Sequence, residues 1–264
     1  VPVGVIHREV GQSIFGTDAA GYDAGRLAYP AALFDLLHAR CGLTAGARLF
    51  EVGPGTGQAT RELLDRGADV TAIEPDSALI DVLKDAGRNR SGALRIVNSA
   101  FESSDIPEGV FDLGVAATSF GWVEKDAAYA RIRQLLRPGG WWAMWWNIFH
   151  DVRGDPIFDR TMLGVTRPAA FTGAAHYSLD QAERLFELGN AGLIDAEYST
   201  IERSVVMTPA SLRALYSTLS PLRRLPPEEM ARRLDWAEGQ AEAEAIDGVI
   251  ERMFMTTVYI ARNP

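Results

Sequence analysis

Residues 49–60, LFEVGPGTGQAT, constrain the fold more than any other stretch of the chain. A short apolar run carrying an acid (Leu49, Phe50, Glu51, Val52) leads straight into glycines at Gly53, Gly55 and Gly57. Amphipathic sequence follows, with Ala59, Leu63 and Leu64 on one side, and it stops at Gly67. This predicts a strand, a tight turn and a helix. Glycine suits such a turn because the backbone must take angles closed to larger residues and a ligand must approach the main chain closely. The helix after it offers that ligand unpaired N–H groups and the positive end of its dipole.

Two cofactor classes use such a turn, and spacing separates them. The dinucleotide fingerprint is G-x-G-x-x-G; Gly53 and Gly55 fit it, but the third place falls on Gln58. The pattern is instead E-x-G-x-G-x-G, with Glu51 two residues ahead of Gly53. It resembles motif I of the class I S-adenosylmethionine (SAM)-dependent methyltransferases, which implies cofactor contacts at Glu51, Gly53, Gly55 and Gly57.

The rest of the chain follows in the order that resemblance requires. Asp69–Ile73 reads as a second strand ending in Glu74-Pro75-Asp76. An acid there sits across the crevice from the glycine turn and can accept both ribose hydroxyls in charge-assisted hydrogen bonds. That assigns Glu74, with Pro75 beside it, to the cofactor. Asp76 caps the next helix, whose apolar face is Leu79, Ile80 and Leu83. Residues 93–97 form a third strand, followed by a segment that the resemblance places along the adenine, implying contacts at Ala100 and Phe101. Relatives more often carry an acid near its start, where this chain has Asn98 and Ser99. Phe111–Ala117 is a fourth strand running into Thr118 and Trp122, so Ala117 and Thr118 fall at the ligand-binding edge. Trp122 either walls the pocket or packs beneath the next helix. Gly121 stands where relatives often have histidine.

Residues 127–136 read as a helix, and Arg137-Pro138-Gly139-Gly140 should stop it and reverse the chain before the strand WWAMWWN. Its tryptophans suit a parallel strand buried on both faces, leaving Trp146 and Asn147, near the strand end, as pocket residues. Ahead of the core, Y-D-x-x-R-x-x-Y-P resembles the segment that folds over the SAM site in small-molecule methyltransferases, implying that Tyr22 and Arg26 line cofactor or substrate. Pro30 suits the first turn of a helix carrying Leu33, Leu36, Leu37 and Cys41 and ending near Gly42.

Past residue 147 the alternation lapses. Residues 148–190 hold mixed helical pieces, including 178–188 capped by Ser178. Ile194–Met207 and residues 250–261 would be a final antiparallel pair, and residues 209–248, strongly helical, would form a lid. The expected architecture is α/β: a doubly wound, seven-stranded, mostly parallel Rossmann-like sheet with helical lid insertions. Residues 1–264 form one domain, its core about 22–147 plus the strand pair 194–207 and 250–261, with insertions at about 148–190 and 209–248.

Composition bounds the function. Hydrophobic content of 47% and charged content of 23% are ordinary for a globular chain. The apolar run at residues 141–146 is far short of the roughly 20 residues of a membrane span. The opening residues lack the pattern of a signal peptide. A single cysteine, Cys41, excludes an internal disulfide and a cysteine zinc cluster, so the default location is cytoplasmic. A net charge of −9 repels a phosphate backbone, so nucleic acid is not an expected partner. The arginine pairs at 223–224 and 232–233 read as solvated helix faces.

The resemblance, closest to the methyltransferase type 11 group, implies methyl transfer from SAM to a small-molecule acceptor, leaving S-adenosylhomocysteine. The sulfonium methyl is already activated, so alignment and water exclusion are the main demands, with a base needed for some acceptors. His150 and His176, after the fifth strand, are the candidate catalytic bases. No metal site is expected, because the nearby acids Asp151, Asp155 and Asp159 lie on irregular sequence. A homodimer is compatible with the sequence. An NAD(P)-dependent oxidoreductase, or a SAM-binding regulatory protein without catalysis, are the alternative readings.

Overall fold

The computed structural model describes residues 16–165 and 177–264. At its centre is one seven-stranded sheet in the order β3-β2-β1-β4-β5-β7-β6. Strands β1 (Arg48–Val52), β2 (Asp69–Ile73), β3 (Leu94–Val97), β4 (Phe111–Ala117) and β5 (Leu136–Ile148) run parallel. The order reverses beside β1, whose neighbours are β2 and β4, and ligand crevices open at such a reversal. Strand β7 (Ile250–Arg262) slots antiparallel between β5 and β6 (Ile194–Met207).

Helices cover both faces. Helices α2 (Ala31–Cys41), α3 (Gln58–Asp65) and α4 (Ser77–Ala86) bury Leu33, Phe34, Leu37, Leu63, Leu64 and Leu83 against Leu49, Val115, Trp145 and Val258 of the sheet. On the other face, α5 (Lys125–Leu135) and α7 (Gln181–Asn190) bury Ala128, Ile132, Leu135 and Leu188 against Phe50, Trp142, Met144 and Tyr259. Successive β5 side chains alternate between these layers, so its tryptophans serve as core on both. Trp142 stacks on Phe50 with centroids 6.1 Å apart, and Trp145 meets Tyr29 and Phe34 edge-on at 5.8 and 6.2 Å.

A third apolar cluster lies beyond the sheet. Helices α6 (Pro156–Met162), α8 (Pro209–Ser217), α9 (Ser220–Arg223) and α10 (Pro227–Glu244) bring Ile157, Met162, Leu212, Leu215, Leu222 and Leu234 onto Ile250 and Phe254 of β7. Helix α1 (Ala19–Gly25) packs against α8. No helix among the described residues is long and apolar enough to cross a membrane.

Three local expectations need correction. The Arg-Pro-Gly-Gly segment does not reverse the chain: β5 begins at Leu136, and the register against β4 slips between Phe111 and Leu113, absorbing Pro138 and Gly139 as an irregularity. Helix α7 is capped by Asp180, whose carboxylate accepts from the Glu183 N–H at 3.1 Å, rather than by Ser178. The buried Ser178 carbonyl instead accepts from the Tyr259 hydroxyl. Pro30 is the N-cap of α2, one place before the first turn.

Candidate functional site

The three glycines of the turn all take positive φ: 61° at Gly53, 60° at Gly55 and 93° at Gly57. Their reasons differ. A Cβ at Gly57 would meet Ala86 at 2.9 Å, so this glycine seats α3 against α4. A Cβ at Gly55 would meet nothing within 4 Å, because that position faces open space. Gly57 caps α3 without a side-chain hydrogen bond, so the capping position lends no oxygen to the helix's first N–H groups.

That open space is part of a cavity along the carboxyl edge of the sheet, open to solvent on one side. Gly53, Pro54 and Gly55 form its floor beside β1, with Gln58 and Ala59 opening α3. Glu74, Pro75, Leu79, Phe101 and Glu102 close one end, past β2 and β3. Ala117, Thr118, Ser119, Trp122 and Val123 follow β4, and Phe149 follows β5. Helix α1 and the residues after it supply Tyr22, Arg26, Leu27 and Tyr29.

Glu74 is 4% exposed and fixed by two backbone donors, the Gly55 N–H at 3.0 Å and the Asp76 N–H at 3.0 Å. Burial pushes its carboxyl up to about 7, and those donors pull back against the rise. Behind the turn, Glu51 is fully buried; one oxygen accepts from the Thr60 hydroxyl at 2.6 Å and Oε1 has no partner. Burial, with a further push from the Glu74 charge, raises Glu51 to about 7 as well, against the lowering bond from Thr60. Thr118 holds φ of 60°, a rare conformation for a β-branched residue. Its N–H donates to Trp145 O at 2.8 Å and its hydroxyl meets the Tyr29 hydroxyl at 2.9 Å. Backbone strain of this kind clusters at ligand sites.

The cavity thus brings together Tyr22, Arg26, Gly53, Gly55, Glu74, Pro75, Phe101, Ala117, Thr118 and Trp122, spread over the sequence and each anticipated from it. Other expected residues lie elsewhere. Glu51 sits one layer beneath and Gly57 in the helix contact, and neither lines the cavity. Ala100 does not line it either; it caps the short 3-10 turn Phe101–Ser103. Trp146 turns into the core against Tyr177 and Tyr259, and Asn147 accepts from the Thr256 hydroxyl at 2.7 Å. Neither is a pocket residue, because the chain reaches the cavity only at Phe149. His150 is turned away, its ring 4.9 Å from that of Phe158, and is not a lining residue. His176 falls outside the described residues.

Sequence reasoning missed Asp23, Ser119, Glu102 and Phe149. Asp23 accepts from Gln58 Nε2 at 3.0 Å and from Arg61 Nη2 at 2.9 Å, tying α1 to the helix after the turn. The signal was present in the Y-D motif, one residue from Tyr22. Asn98 uses its amide on the Glu74 and Pro75 carbonyls, at 2.9 and 3.1 Å, so it positions the acid. Among the described residues no group of three or more His, Cys, Asp or Glu could hold a metal ion.

Comparison with known proteins agrees with this geometry. A family model described as a methyltransferase domain matches residues 50–144. An uncharacterized methyltransferase of Mycobacterium tuberculosis is 32% identical over 226 residues, spanning 80% of this chain and 84% of the relative. The trans-aconitate 2-methyltransferase of Deinococcus radiodurans is 28% identical over 232 residues, 83% and 87% of the two chains. Among solved structures, the 4+2 cyclase SpnF aligns with a TM-score of 0.57 at 20% identity, covering 100% of this chain and 98% of that one. Phosphoethanolamine N-methyltransferase 2 of Haemonchus contortus aligns at 0.58 and 14%, covering 100% of this chain and 61% of that one. Those two share the fold. With the glycine turn, the acid past β2 and a 32% identical relative matched over four-fifths of its length, the chain belongs to the class I SAM-dependent methyltransferases, in the methyltransferase type 11 group.

Proposed function

We propose that this protein transfers a methyl group from SAM to a small-molecule acceptor. The observation that carries the reading is the Glu74 carboxylate, held at the mouth of β2 and facing the open space at Gly55. The lining fits an adenosyl cofactor: Glu74 accepts the ribose hydroxyls, and Leu79 and Phe101 offer apolar surface to the base. The Gly53–Gly55 backbone permits close approach by the amino-acid portion. SAM supplies an already activated methyl on a sulfonium. The chain's own task is then to orient the partners and exclude water, for which Tyr22, Trp122 and Phe149 offer aromatic lining. A nicotinamide dinucleotide fits less well, because Gln58, in place of the third glycine, is bound to Asp23 and Thr56.

Isothermal titration of the purified protein with SAM, S-adenosylhomocysteine and NAD tests the reading, with Glu74→Ala alongside. Micromolar binding of both adenosyl ligands and none of NAD is expected. The variant should weaken it at least tenfold, about 1.4 kcal/mol. Binding of NAD alone would hand the cavity to an oxidoreductase. Cofactor binding with no turnover across a broad acceptor panel would favour a regulatory role, since this fold also carries a cyclase.

A further inference from the structure

We propose that the acceptor is a small carboxylate, methylated on oxygen to give a methyl ester, and that Arg26 reads its charge. The inference rests on the methyl-transfer reading above and adds the substrate class.

Charge is distributed unevenly along the cavity. The carboxylates Glu74 and Glu102 stand past β2 and β3, while the far side is built by α1 and by Phe149 past β5. Strands β1 and β4 separate the two ends. A cofactor whose ribose is held by Glu74 therefore leaves the Phe149 end for the acceptor. Among the described lining residues Arg26 is the sole Lys or Arg, and it stands at that end. Its guanidinium carbon lies 4.4 Å from the Phe149 ring centroid and 4.8 Å from that of Tyr22. The two rings hold the guanidinium in place, and Nη2 donates to Thr218 O at 3.0 Å.

The guanidinium is not satisfied. Its charge is not paired: among the described residues no ion pair joins it to a carboxylate, and Nη2 meets only the neutral Thr218 carbonyl. A carboxylate is the group whose geometry matches a guanidinium fork. A sulfonium nearby would add a second positive charge, which an anionic acceptor offsets and an ammonium acceptor would worsen.

The proton balance points the same way. Besides Arg26, the titratable described lining residues are Tyr22, Tyr29, Glu74 and Glu102. Glu74 and Glu102 are at the opposite end, and burial raises the Tyr29 phenol above its ordinary value, so it stays protonated. An alcohol or phenol must lose a proton as it is methylated, and so needs a base placed to take it. A carboxylate needs no base. One of its oxygens donates a lone pair to the methyl carbon while the carbon–sulfur bond breaks and its electron pair stays on sulfur. The carboxylate becomes a neutral ester, the sulfonium becomes a neutral thioether, and no proton moves. Tyr22 and Phe149 beside the guanidinium, with Leu27 and Trp122 elsewhere in the lining, suit an acid with an apolar or conjugated body.

The test is calorimetric titration of the full chain, saturated with S-adenosylhomocysteine, with matched pairs of acids and amides. Benzoate and benzamide, cinnamate and cinnamide, and hexanoate and hexanamide serve as probes, with ester formation from SAM followed by mass spectrometry. At least one acid should bind tenfold or more tighter than its amide and yield the methyl ester. Arg26→Gln should abolish that preference while changing S-adenosylhomocysteine affinity less than threefold, and Arg26→Lys, which keeps the charge without the fork, should fall between. If no acid binds more tightly than its amide, the proposal is overturned. So it is if Arg26→Gln weakens S-adenosylhomocysteine tenfold and leaves the acid preference intact, because the guanidinium then serves the cofactor's own carboxylate. Failure of the unaltered protein to bind S-adenosylhomocysteine would sink the methyl-transfer reading itself, a separate result.

Discussion

Glu51 shows what a single residue costs and what it holds. Its carboxylate is fully buried, bonded to the Thr60 hydroxyl on one oxygen and unpartnered on the other. In the folded chain burial lifts it from 4.5 to about 7. Protons are therefore bound more tightly in the folded state than in the unfolded one. The associated stability is complete below pH 4.5 and is lost as pH rises through 7; Glu74, raised by burial to the same region, acts in the same direction. Glu51→Gln keeps the shape and removes the charge. Its unfolding free energy relative to the parent should climb between pH 4.5 and 7, by on the order of 3 kcal/mol at most. Urea titrations at pH 5 and pH 8 measure this, and an equal difference at the two values would show that Glu51 is not the proton acceptor. The same residue marks the limit of reading sites from sequence. Motif spacing located Glu51 and Glu74 together, but only the fold separates the one beneath the cavity from the one facing it. His150 and Asn147 were misplaced for a related reason: proximity to a strand end does not say which way a side chain turns.

Element by element, what was legible depended on period and length. The bounds of β2 and β4 follow from apolar runs between turn residues, and those of β6 from β-rich sequence that Glu202 and Arg203 interrupt. The start of β5 does not, because a proline and two glycines imitate a stop even where the partner strand accommodates them through a register slip. Helix α1 is the instructive case. It spans only Ala19–Gly25, has three alanines, two glycines and one aspartate besides Tyr22, and buries one residue, Gly25. Its own apolar face cannot fix it over the cavity. Asp23 does much of that through Gln58 and Arg61, with about a third of both charged side chains exposed. Such a half-solvated tie contributes roughly 1 kcal/mol or less. Asp23→Asn should therefore raise the SAM dissociation constant by about fivefold, with the melting temperature nearly unchanged. Added salt should narrow the difference between variant and parent. Equal affinities at low salt would mean that α8, not the tie, sets the position of α1.

Among the described residues three apolar clusters surround one sheet, and the third decides whether the helical cap is separate. Its members from α6, α8 and α10 close on Ile250 and Phe254, which belong to β7, the strand hydrogen-bonded to both β5 and β6. Polar contacts run the same way. The Tyr216 hydroxyl of α8 donates to Asp155 at 3.2 Å, and Asp151 accepts from the Met253 N–H of β7 at 3.0 Å. From sequence, residues 209–248 read as helical, but the partner of their apolar face was hidden, since it lies in a strand some 20 to 40 residues further on. A cap that shares its core with an interior strand of the sheet has no surface along which to part from it. Cap and sheet should unfold together. Trp236 of α10, against Arg160, reports on the cap, while Trp141, Trp142, Trp145 and Trp146 report on the sheet. Guanidinium unfolding of the parent and of Trp236→Phe, followed by fluorescence and far-ultraviolet circular dichroism, should give one midpoint for all probes. S-adenosylhomocysteine at about 100 times its dissociation constant should shift every probe equally, by about 2.7 kcal/mol. An early transition seen in the parent's fluorescence and missing in Trp236→Phe would instead make the cap a unit that opens by itself, and acceptor entry would then proceed by cap unfolding rather than through the mouth of the cavity.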